Sequence, residues 1–209
     1  MPKNQSTDSI TSITSTKTDA NSPVEIRQKI LPLLSYPPLY EARIISNIAS
    51  IFFNLIDYNT RHKYHADKND ILFSKRIPNL SIEDFLIRVV TYSKIELSTL
   101  LSIYIYAMRL ITRNEIVLRY TNVYKIILGA CVLSVKFNKD SKFSFSYYAK
   151  IGGITVSELS EVEFSIYTRL NFELFINEEE INESLSFLLQ KKLIIWILVI
   201  IITCHLCLD

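Results

Sequence analysis

Few residues in this chain have the chemistry to hold a metal or to attack a substrate. His62 and His65 stand close enough in sequence to share an ion. No cysteine or acidic cluster nearby completes a site, so a solvated linker is the simpler reading. Cys204-His205-Leu206-Cys207 is one short cluster, and a closed metal site needs a second. Cys131 lies inside an almost wholly apolar run and reads as a core filler rather than a nucleophile. No nucleotide loop, catalytic triad or metal cluster is seen, and nothing in the residues calls for a cofactor.

The elements that would position any site are helical. Glycine occurs 3 times and proline 6 times in 209 residues, too seldom for the turns of a β-rich fold. A content of 49% apolar residues allows one buried core. The net charge of +2, with no basic tract, argues against a nucleic-acid surface. Three cysteines without a secretory h-region predict a reducing compartment, cytoplasmic or nuclear, and Pro2 excludes N-myristoylation.

Residues 1–23, rich in Ser, Thr, Asn and Asp, predict a disordered tail, with Ser22-Pro23 as a proline-directed dipeptide inside it. Residues 40–76 predict a helix striped by Ile44, Ile48, Ile51, Phe52 and Leu55, then a polar linker. Ser81 with Asp84 reads as a helix start, followed by the stripe Ile82, Phe85, Leu86, Val89. A second stripe runs from Leu97 to Ile111. The helix from about Thr121 to Phe137 is apolar nearly all round and must be wrapped by the others. Its Gly129, Ala130 and Ser134 offer a face for close packing.

A short helix stops at Gly152-Gly153, where glycine takes a left-handed cap. Thr155 and Glu158 form a capping-box pattern ahead of the stripe Leu159, Val162, Ile166, Leu170, with Asn171 as the stop. Asn177 and the acids Glu178, Glu179 and Glu180 open one more helix. The whole predicts a compact all-α domain.

Three stretches carry a resemblance. They are Ile77-Pro78-Asn79-Leu80-Ser81-Ile82-Glu83-Asp84-Phe85-Leu86-Ile87-Arg88; Asn122-Val123-Tyr124-Lys125 through Ala130 to Ser134-Val135-Lys136-Phe137; and Tyr148-Ala149-Lys150-Ile151-Gly152-Gly153-Ile154 leading into Glu158-Leu159-Ser160-Glu161-Val162-Glu163. In this order and spacing they resemble the cyclin family, and within it the phosphate-regulation, or P- and U-type, cyclins. The resemblance implies a single five-helix cyclin box within 77–190, with a helix before it and a helical extension after it. It implies a non-catalytic subunit that binds and activates a cyclin-dependent kinase in cell-cycle or nutrient and phosphate signalling. The kinase-binding positions it implies are Lys136, ending the third helix, and Glu163, in the fifth. On the residues alone, Glu163 sits beside its helix's apolar stripe and needs a partner or solvent, and Lys136 also suits the helix C-terminal dipole.

Two departures stand out. Where the family usually reads Asp-Arg late in the second helix, this chain has Met108-Arg109, which leaves Arg88 without its usual acid. Arg88 is therefore expected to snorkel outward or to find backbone carbonyls. The run at 193–208 (LIIWILVIIITCHLCL) follows Lys191-Lys192 and is long enough, as a helix, to approach the lower limit of a membrane span. A membrane anchor, a helix packed on the domain and an aberrant end of the reading frame are its three readings. A cyclin-fold module of the transcription-factor type, or a membrane-tethered adaptor without a kinase, are the functional alternatives.

Overall fold

The computed structural model describes residues 39–65, 67–138 and 143–190, and every regular element within them is an α-helix. The elements are α1 (Leu39–Arg61), α2 (Ile82–Ser93), α3 (Leu97–Thr112), α4 (Val123–Phe137), α5 (Phe145–Gly152), α6 (Val156–Arg169) and α7 (Glu178–Leu189). Helix α4 is central, packing against α2, α3, α5 and α6. Every residue from Val123 to Val135 is buried, as an apolar surface around the whole helix requires. Helix α3 exceeds its single stripe. Thr99 to Ala107 is buried without a break, because α4 and α7 cover it on different sides.

Local chemistry sets the helix starts. Ser81, Thr155 and Asn177 each accept a backbone N–H three residues on, from Asp84 at 3.0 Å, Glu158 at 3.1 Å and Glu180 at 2.8 Å. Helix α1 runs to Arg61, its last turn closed by an Asp57–Arg61 ion pair. At the other end of the domain α1 caps α7: Asn47 Nδ2 donates to Leu188 O at 2.6 Å and Arg43 to Leu189 O at 3.3 Å.

Two glycines act by different means. Gly153 takes φ 68°, the left-handed conformation that ends α5. Gly129 lets α4 touch α6, since a Cβ there would sit 2.5 Å from Ile166 Cδ1 and 2.8 Å from Val162 Cγ1. Gly152 likewise has no room for a side chain against Leu128.

Arg88 is exposed and Met108 half-buried, so the lost acid leaves no stranded cation in the core. The tail at 1–23, with Ser22-Pro23, and the apolar run at 193–208 lie outside the described residues. Among the described residues no helix is long and apolar enough to cross a membrane.

Candidate functional site at the α4–α6 contact

Helices α4 and α6 are joined by two lysine–glutamate pairs. Residues 125 and 136 are eleven apart, three turns plus about 20°, so both lysines leave the same side of α4. The close approach at Gly129 brings that side onto α6.

At the C-terminal end of α4, Lys136 Nζ lies 2.7 Å from Glu163 Oε1 and 2.8 Å from Oε2. The ammonium also stands 4.5 Å from the centre of the Phe145 ring, in cation–π range. The pair is asymmetric: half of the Lys136 side chain is exposed (50%), against 16% of Glu163. An anion held against the fold and a cation leaning into solvent can both be re-addressed by an incoming group. Phe137 and Phe164, the residues next to the pair, are exposed, Phe164 to 66%. Phe172 and Phe175, in the segment that follows α6, are exposed as well. Exposed apolar side chains of this size make this end of the domain a candidate contact surface.

At the other end of α4, Lys125 is buried, with 8% of its side chain exposed. Its ammonium bonds Glu158 Oε1 at 2.8 Å, Ile71 O at 2.7 Å and Phe73 O at 3.2 Å, so all three donors are used. The capping-box expectation needs correction here. Thr155 caps α6, but the Glu158 carboxylate is turned to Lys125. A buried ammonium demands an anion more strongly than a backbone N–H at a helix start does. A third ion pair, Arg169–Asp70 at 2.8 Å, ties the last turn of α6 to the same segment that Lys125 holds.

The sequence reading passed over Lys125. The signal was present as a lone cation in a run apolar on every side, which must find buried partners. Cys131 behaves as a core residue: it is buried beside Ser93, and burial pushes its thiol up to about 12, far from a usable thiolate. His62 stacks on Tyr58 with 3.9 Å between ring centres. Among the described residues no group of three or more His, Cys, Asp or Glu converges as a metal site would need.

This geometry can be set beside known proteins. The cyclin family model matches residues 3–174. The chain is 28% identical to Cyclin-P3-1 of Oryza sativa subsp. japonica over 134 residues, 64% of this chain and 56% of that protein. It is 24% identical to Cyclin-U2-1 of Arabidopsis thaliana over 166 residues, 76% of this chain and 73% of the other. With the PHO85 cyclin-like protein psl1 of Schizosaccharomyces pombe the identity is 29% over 114 residues, 54% of this chain and 47% of that one. The aligned stretch thus spans from about half to three quarters of these relatives' lengths. The likeness to P- and U-type cyclins agrees with what the three sequence stretches resemble. With a family model matched over well more than half of its length, this chain belongs to the cyclin family.

Proposed function

We propose that the chain is the regulatory, non-catalytic subunit of a cyclin-dependent protein kinase, and that the exposed Lys136–Glu163 pair receives the kinase's regulatory helix. The observation that carries this reading is the pair itself: two opposite charges 2.7 Å apart on one face, with exposed phenylalanines beside them. A helix presents unsatisfied N–H and C=O groups at its ends. A neighbouring cation and anion can serve both kinds, while phenylalanines cover the apolar side of such a helix. Membership in the cyclin family supports a regulatory role, and the name of the PHO85 cyclin-like relative supports a kinase of the cyclin-dependent class. Cell-cycle and nutrient or phosphate signalling both suit this role, in the cytoplasm or the nucleus.

The test uses the full chain and a recombinant panel of the cyclin-dependent kinases of its source organism. One of them should bind and gain activity. Lys136→Ala or Glu163→Ala should weaken that complex by roughly 30- to 4000-fold, the range for truncating one member of a desolvated charge pair. Retained activation in the double variant would remove the assignment. Salt-sensitive DNA binding without any kinase would favour the transcription-factor alternative.

A further inference from the structure

The segment from Leu170 to Ile176 leads from α6, which carries Glu163, into α7. Its backbone is unusual, with Asn171 at φ 53° and Phe172 at φ 62°. Asparagine tolerates the left-handed region, but phenylalanine resists it. Apolar burial does little to hold the segment, for Phe172 is 58% exposed and Phe175 72%. Leu170 and Leu174 are its buried anchors, and the Phe172 ring meets Tyr167 edge-on, with 4.8 Å between ring centres.

What holds the segment is a row of polar side chains on one face of α3, at positions 106 and 109, continued by the C-cap residue Arg113. Tyr106 OH donates to Leu174 O at 2.6 Å. Arg109 donates to Glu173 O and to Phe175 O, each at 3.0 Å. Arg113 Nη2 reaches the Glu173 carboxylate at 2.7 Å. The Arg109 fork also grips Glu180 of α7, with Nη2 2.7 Å from Oε2 and Nε 3.2 Å from Oε1. The segment reaches the C-terminal end of α4, where Lys136 lies, because Leu174, Ile176 and Tyr106 line a cleft of about 180 Å³ together with Phe137 and Asn138.

We infer that Arg109 is a positioning residue: with Tyr106 and Arg113 it locks the Asn171–Phe175 segment so that Phe172 and Phe175 stand pre-formed beside the Lys136–Glu163 pair as one docking surface for the kinase. The inference rests on the proposed function. A rigid aromatic edge loses little freedom on binding, so locking it before contact preserves affinity. The planar guanidinium suits the task, since its fixed fork takes both oxygens of one carboxylate while two of its nitrogens also reach backbone carbonyls.

The experiment compares the full-length wild type with Arg109→Gln, Glu180→Gln and Phe175→Ala. It reads amide hydrogen exchange in the isolated chain, and affinity and saturated turnover with the kinase panel. Arg109→Gln should speed exchange at residues 171–176 by about tenfold or more and leave α4 protected. It should weaken kinase binding about tenfold while the turnover of the saturated complex holds. Glu180→Gln keeps the carbonyl bonds and should stay near wild type in both readouts. Phe175→Ala should lose affinity with exchange unaltered. Exchange at 171–176 unchanged in Arg109→Gln overturns the lock, whatever the kinase does. Equal effects from Glu180→Gln overturn it too, by reducing Arg109 to an anchor for α7. Wild-type binding with Arg109→Gln affinity intact overturns the positioning role alone. A wild type that binds no kinase overturns the functional reading and the presentation together.

Discussion

Lys125–Glu158 and Lys136–Glu163 join the same two helices about 16 Å apart along α4, yet their surroundings differ in every respect that sets energy. At Lys125 the cation is buried and two backbone carbonyls complete its shell, so nothing is left over to offer a partner. At Lys136 the cation is half exposed, shares its charge between a carboxylate and an aromatic face, and borders phenylalanines in water. An ion pair already surrounded by its own fold stabilises that fold, whereas one with an open side keeps capacity for something else. Residue type and even the helix pair are shared; depth and the remaining partners differ.

The largest effect expected separates the two pairs outright. Lys136→Ala or Glu163→Ala should cost about 2–5 kcal/mol of kinase binding and little stability, less than about 1 kcal/mol for Glu163→Ala, which leaves only a half-exposed cation. Lys125→Ala should do the reverse. It strands a carboxylate and two carbonyls, for a loss of about 3 kcal/mol, less than for a fully dry pair since Glu158 is 34% exposed. For a domain of this size that lowers the melting temperature by about 6–12 °C. Thermal melts beside kinase titrations check both halves, and equal stability losses at Lys125 and Lys136 would erase the distinction.

Gly129→Ala tests the contact that holds the two pairs in register. A methyl group there meets Val162 and Ile166, and Val162 has no flexible end to swing away. A loss of about 1–3 kcal/mol is expected, with kinase binding reduced as α6 shifts. A neutral result would show that the helices part without moving Glu163.

Alkaline pH gives a smaller effect away from both pairs. Burial raises the Tyr106 phenol from 10 to about 12. The folded state therefore holds that proton more tightly than the unfolded chain. The stabilisation is whole below pH 10 and is lost as pH climbs from 10 towards 12. Tyr106→Phe should cost about 1 kcal/mol at neutral pH and soften the alkaline fall, as melts across pH 8–12 would reveal. Least of all, Glu179→Ala should leave stability and kinase binding within about 0.5 kcal/mol, as its side chain is exposed. Glu180, its neighbour, is the one held by Arg109.

Much of this molecule was legible in advance. Periodicity and capping residues are local properties, so the helices, the caps at Ser81, Thr155 and Asn177, and the wrapped α4 follow from sequence within a turn or so. Lys136 and Glu163 were singled out by family resemblance, not by spacing, since 27 residues separate them. What tertiary structure alone decided is which charges are buried and what they meet. Lys125 and Lys136 look alike in sequence, and Glu158 looks like half of a capping box. Depth depends on every helix packed around a position, and no local window contains that sum. The same holds for Arg109, whose partners lie 64 to 71 residues away and become neighbours only when α3, α6 and α7 pack. The sequence by itself determined the helices and their apolar faces, because those depend on nearest neighbours along the chain. Tertiary packing decided which lysine braces the fold and which stays open to a partner, because electrostatic worth is set by the surroundings.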